Sequence, residues 1–101
     1  MSRYRVEIAR SVRQLITHLP PKFKRRVKIA LQSLADNPYG AKELKDELAG
    51  LRSQRIGTAR IIFRTKGSVI EVVALGPRHD IYERVAAEIS IALRKNRKAQ
   101  S

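Results

Sequence analysis

Two adjoining stretches decide the fold: Arg55-Ile56-Gly57-Thr58-Ala59-Arg60-Ile61-Ile62-Phe63-Arg64, then Val69-Ile70-Glu71-Val72-Val73-Ala74-Leu75-Gly76-Pro77. Each is rich in β-branched and aromatic residues, which fit a pleated, half-buried surface. Thr65-Lys66-Gly67-Ser68 between them has the chemistry of a tight turn, and Gly76-Pro77 closes the second stretch. A meander of three strands is expected: a short one at Arg55–Gly57, a second over Ala59–Arg64 and a third over Val69–Leu75. Successive strand side chains point to opposite faces, so Arg60, Ile62 and Arg64 should share one face and Ala59, Ile61 and Phe63 the other. The second of these faces is expected to pack on helices while Arg60 looks outward.

Upstream of the meander, Tyr4, Val6 and Ile8 alternate with Arg5 and Glu7, which predicts a strand. Ser11 stands where a helix N-cap would, and Val12, Leu15 and Ile16 share a helical face; Pro20-Pro21 should stop this helix near Leu19. A second helix is predicted from Lys22 to Ala35, with Phe23, Val27, Ala30, Leu31 and Leu34 at helical spacing, ended by Asp36-Asn37-Pro38-Tyr39-Gly40. Residues 41–51 read as a connector pinned by Leu44, Leu48 and Leu51. Downstream, a last helix should run from about Ile81 into the nineties with Val85, Ile89 and Leu93 on one face, and residues 94–101 form a basic, flexible tail. The expected architecture is α+β: a small antiparallel-type sheet made of the N-terminal strand and the C-terminal meander, carrying an N-terminal helical hairpin and a C-terminal helix, with the helices on one face. Length and the absence of a linker predict one domain over residues 1–101.

The charge is unusual. Lys and Arg number 22 against 9 Asp and Glu, a formal net charge of +13, while the hydrophobic share of 43% is that of an ordinary globule. So positive a surface collects polyanions, and nucleic acid or an acidic protein is the expected partner. The other use of a basic chain, lying on a membrane, calls for bulky interfacial anchors; there is no Trp, and the predicted helices carry core-like stripes, so no membrane role is expected. Cysteine is absent, and Met1-Ser2-Arg3-Tyr4-Arg5 lacks a secretory signal's apolar run, which together fit a cytoplasmic protein.

Several kinds of chemistry can be set aside. With two histidines and no cysteine, a zinc site would need carboxylates from distant places, and the acids Glu43, Asp46 and Glu47 lie on the connector rather than as a metal-nuclease pair. No Gly-rich phosphate loop is present, and neither a metal nor a cofactor is expected. What remains is positive charge on strands: Arg55, Arg60 and Arg64, with Arg78 ending the third. Strand arginines are usually only solvated. The segment after Leu75 adds an arginine, an imidazole and a phenol in quick succession, Arg78, His79 and Tyr82, at a strand end. Tyr82 could equally pack at the start of the last helix.

The ordered set of a strand, a basic hairpin containing Leu19-Pro20-Pro21, the run Arg55 to Phe63 and the run Val72 to Tyr82 resembles the RelE/ParE toxin superfamily, over roughly Tyr4 to Val85. The resemblance implies the toxin of a type II toxin–antitoxin system, and the arginine-plus-tyrosine set favours the RelE type, a ribosome-dependent messenger-RNA endonuclease (mRNA interferase). The alternatives are a ParE-like inhibitor of DNA gyrase and a non-catalytic basic protein that binds RNA or the ribosome. It implies catalytic roles for Arg60, Arg78 and Tyr82, and for Arg55 and His79, which fit the pattern less well. This chain departs from the pattern: His79 follows Arg78 instead of preceding it, Ala59 and Phe63 replace tyrosines, and Ser53 stands where some members have another base. Ribosome and messenger RNA would be met by Lys22, Lys24, Arg25, Arg26 and Lys28 on the hairpin, and a cognate antitoxin by the stripe Val85, Ile89 and Leu93, which could equally be core.

Overall fold

The computed structural model describes residues 3–77 and 80–100, the stretch 92–100 as backbone only. In chain order the elements are β1 (Arg5–Ile8), α1 (Arg10–Thr17), α2 (Pro21–Asp36), β2 (Lys42–Glu43), β3 (Arg52–Ile56), β4 (Ala59–Lys66), β5 (Val69–Pro77) and α3 (Ile81–Gln100), with 3-10 turns at Pro38–Gly40 and Asp46–Leu48. The class is α+β, as expected. The strands form one sheet in the order β1-β5-β4-β3-β2.

Three features of that sheet differ from the expectation. First, β1 runs parallel to β5, Val6 opposite Ile70 and Ile8 opposite Val72, so the sheet is mixed. The crossover through α1, α2 and the meander brings the N-terminal strand back in the same sense as the last one. Second, the connector contributes β2, which pairs antiparallel with β3 through Lys42–Ser53 and Glu43–Arg52. Third, the helices cover both faces. Val12 of α1 and Val27 and Leu34 of α2 are buried with Ile61, Phe63, Ile70, Val72 and Leu75. Ile81 and Val85 of α3 are buried on the other side with Ile62, Ala74, Leu44 and Leu51. The face that carries Arg60 and Ile62 is therefore covered by the last helix at Ile62, while Arg60 is half-buried and Arg64 stays exposed, instead of the whole face looking outward.

A bulge makes this arrangement work. Ile62 pairs with Ala74 but Phe63 pairs with Val72, so Val73 is the extra residue on β5. Val73 and Ala74 both reach the α3 side, while Ile70, Val72 and Leu75 stay with the hairpin. Were Val73 instead paired in a regular ladder, strict alternation would have put Ala74 on the same side as Val72. Phe63, Ile62 and Ile70 are completely buried, each contributing about 1.5–3 kcal/mol of hydrophobic stabilisation.

Local details also shift. α1 starts at Arg10 with Ala9 as its N-cap and no side-chain cap, so Ser11 lies inside the first turn; the helix ends at Thr17, two residues before Leu19. Pro20 and Pro21 start α2, where a missing N–H costs nothing. The β3–β4 and β4–β5 turns are each two residues long, with Gly57 at φ 58 and Gly67 at φ 60, a backbone state that favours glycine.

Candidate functional site

Across β3, β4 and β5, two neighbouring rows of residues face α3. Ser53, Ile62 and Ala74 form one; Arg55, Arg60 and Gly76 form the next. Gly76 leaves a slot in which α3 lies close. A Cβ there would collide with Nη2 of Arg84 and stand 3.1 Å from Cδ1 of Ile81. Arg84 uses the slot to donate from Nη2 to the Leu75 carbonyl at 3.3 Å, tying the first turns of α3 to the end of β5.

So placed, α3 delivers Tyr82 to the strands. The hydroxyls of Tyr82 and Ser53 are hydrogen-bonded at 3.0 Å. Arg60 donates from Nη1 to the same Ser53 oxygen at 3.4 Å, and its guanidinium carbon lies 5.9 Å from the centre of the Tyr82 ring. Arg60 is half-buried, and its Nε is buried with no hydrogen-bond partner among the described residues. The ion pairs among the described side chains are Arg5–Glu7 and Arg64–Glu71, so Arg60 has no carboxylate there. A partly desolvated guanidinium lacking an anion is costly, and such a position is suited to an anionic ligand. Tyr82 also lines a cavity of about 210 Å³ together with Lys45, Asp46, Glu47, Leu48, Glu83 and Ala86. The charged groups around the phenol therefore differ, a cation at Arg60 and three acids against Lys45 at this rim. A larger cavity, about 420 Å³, lies between β1 and α2, lined mostly by apolar chains with Lys24 and Lys28; it holds none of these groups.

Of the residues singled out from sequence, Arg60 and Tyr82 come together. Arg55 is the cross-strand partner of Arg60, but its head turns away and its Nε donates to the Gly57 carbonyl at 3.1 Å. Arg78 and His79 lie outside the described residues. Lys22, Lys24, Arg25, Arg26 and Lys28 are all exposed on α2. Val85 is buried and Ile89 half-buried against the sheet, so a partner segment could reach them only if α3 lifted; the side chain of Leu93 lies outside the described ones. Ser53, 2% exposed, joins Arg60 to Tyr82 and was visible in sequence only as a departure from a pattern. Its spacing two residues before Arg55 puts both on one strand face, a signal that could have found it. Gly76 and Arg84 left no such signal.

A sheet with a helical hairpin on one face and, on the other, a last helix that seats a phenol against a half-buried arginine defines the class of protein. Residues 3–82 match the model of the family described as ParE toxin of type II toxin–antitoxin system, parDE, and the chain belongs to that family, within the RelE/ParE toxin superfamily. Two solved structures share the fold. The toxin–antitoxin complex RelBE2 from Mycobacterium tuberculosis contains a chain 29% identical, aligned over 74% of this chain and 98% of that one with a TM-score of 0.66. The archaeal RelE–RelB complex from Pyrococcus horikoshii OT3 contains one 28% identical, over 76% and 97%, with a TM-score of 0.65. No curated protein sequence matches. Among the described residues no helix is long and apolar enough to cross a membrane.

Proposed function

We propose that this toxin is a messenger-RNA endonuclease acting on the ribosome, cutting by metal-independent attack of the RNA's own 2′-hydroxyl and so halting translation. The observation that carries the reading is Arg60, held half-buried with no acidic partner among the described residues, against the ring of Tyr82 and bridged to its hydroxyl by Ser53. In such a reaction the 2′-oxygen loses its proton and bonds to phosphorus while the bond from phosphorus to the 5′-oxygen breaks. The leaving oxygen takes a proton, and a 2′,3′-cyclic phosphate remains. The transition state gathers negative charge on the phosphoryl oxygens, which a guanidinium fork stabilises. Arg60 takes that part in the proposal, with Arg78 as the second cation. Tyr82 handles a proton at the 2′-oxygen or the leaving 5′-oxygen, its hydroxyl oriented by Ser53.

The cytoplasm is the proposed compartment, where ribosomes and messenger RNA are found. The partner proposed for neutralisation is a cognate antitoxin, supported by the two structural neighbours being toxin–antitoxin complexes. Its proposed contact is the stripe Val85, Ile89 and Leu93, reached by displacing α3. A second reading, a ParE-type inhibitor of DNA gyrase, is favoured by the match to the ParE toxin family and by Ser53 in place of a further base. Induction in growing cells followed by primer extension separates the two. In-frame cuts confined to translated regions are expected; intact transcripts with trapped gyrase and broken DNA would overturn the nuclease.

A further inference from the structure

Arg55 and Arg60 face each other directly across β3 and β4. Like charges so placed are destabilising, and no carboxylate among the described side chains relieves them. Arg55 responds by swinging to the β3–β4 turn, where its Nε holds the Gly57 carbonyl at 3.1 Å and its terminal nitrogens are left free of protein hydrogen bonds among the described residues. Arg26 reaches the same turn from α2: its Nη1 lies 3.4 Å from the position of a Cβ on Gly57. Two exposed guanidiniums from separate elements thus converge on one residue, where like charges repel and no anion pairs with either among the described residues. We infer that this pair is a binding subsite for one backbone phosphate of a single RNA strand, next to the phosphate held at Arg60.

The direction of the strand follows from the charges around Tyr82. Toward β2 and the Asp46–Leu48 turn the rim carries three acids, Asp46, Glu47 and Glu83, against the one cation Lys45, a net negative edge that disfavours a phosphate backbone. Toward the β3–β4 turn the sequence of charges is Arg60, Arg55, Arg26. A strand leaving the cleavage point therefore runs over Gly57 onto the exposed basic face of α2. The tight two-residue turn keeps that path low, since Gly57 at φ 58 carries no side chain. An acidic protein segment is the other polyanion that would fit guanidiniums. The continuity with Arg60 favours RNA, and the inference rests on the nuclease reading in taking RNA as the ligand.

The test uses the full chain, as wild type, Arg26→Gln, Arg55→Gln and Arg60→Gln, with a 2′-O-methyl oligoribonucleotide that cannot be cut. Affinity is measured against salt, then with single neutral methylphosphonate linkages moved along the strand. Arg26→Gln and Arg55→Gln should each weaken binding several-fold and flatten the slope of log affinity on log salt, by about 0.7 for a lost phosphate contact. Neutralising one particular linkage should abolish both losses, and that linkage should adjoin the one at which Arg60→Gln becomes silent. Unchanged binding in either variant, losses indifferent to linkage position, or no binding by the wild type at low salt would overturn the subsite. So would variants that bind the oligonucleotide normally but lose affinity for polyglutamate. Cleavage of transcripts by the wild type is read separately, so the subsite can fail while the nuclease stands, and the reverse.

Discussion

Replacing Tyr82 with Phe removes one oxygen and separates the chemical role of the phenol from its packing. The ring stays, and with it the contact to the Arg60 guanidinium at 5.9 Å and its partial burial against the core cluster on the α3 side of the sheet. The Ser53 oxygen loses its 3.0 Å partner but keeps Nη1 of Arg60 at 3.4 Å, so it is not orphaned. The net cost of such a hydrogen bond is about 1 kcal/mol, which corresponds to a fall in Tm of about 4–8 °C in a domain this small. Losing a positioned proton-transfer group costs far more in rate, about 10²- to 10⁴-fold, or roughly 3–5 kcal/mol of transition-state stabilisation. The measurements are thermal unfolding, ribosome co-sedimentation, and single-turnover cleavage of messenger RNA on programmed ribosomes well below the variant's Tm. The expected result is a modest Tm shift, sedimentation within about twofold of wild type, and cleavage down at least a hundredfold. Cleavage within about fivefold of wild type would refute proton transfer by Tyr82. A loss of cleavage matched by an equal loss of ribosome binding would reassign the residue to holding the substrate.

Two further outcomes follow from packing and titration. Gly76→Ala should cost about 1–2 kcal/mol, because the new methyl evicts Arg84 from its bond to the Leu75 carbonyl and presses on Ile81. In an Arg84→Ala background the same change should cost measurably less by urea unfolding, and strictly additive costs would show that the two do not share the slot. At the other end of the sheet, the Tyr39 phenol is held below its ordinary value, first by hydrogen bonding to Tyr4, then by Thr65 and the nearby charge of Arg52, while Tyr4 is raised, chiefly by the same bond to Tyr39. The Tyr39 anion is therefore favoured in the folded state: its contribution to stability is present above the unfolded value and fades as pH falls through the folded one. Tyr4 behaves in the opposite sense, its contribution lost as pH rises through its own folded value. In Tyr4→Phe the ionisation of Tyr39, followed by phenolate absorbance, should move to higher pH; an unmoved curve would rule out the coupling.

By itself the sequence determined the elements and the chemistry on offer. Two-residue alternation in Tyr4–Ile8 and Ala59–Arg64, the proline pair between α1 and α2, and the glycines at positions 57 and 67 act through neighbouring bonds and local sterics, so they can be read one segment at a time. The excess of 22 basic over 9 acidic residues is likewise a sum that no fold alters. Which face of the sheet is covered could not be read that way. Alternation says that Arg60 and Ile62 share a side, but whether that side is wet depends on where α3 lands. That in turn depends on the bulge at Val73 and the slot at Gly76, both defined by strands paired across long stretches of chain. The approach of Tyr82 to Ser53 and the meeting of Arg26 with Arg55 at Gly57 are decided in the same way, by contacts 29 residues apart in the first case and between helix and turn in the second. Local rules specify which groups a chain carries; only long-range packing, which buries apolar faces together, determines which of those groups meet.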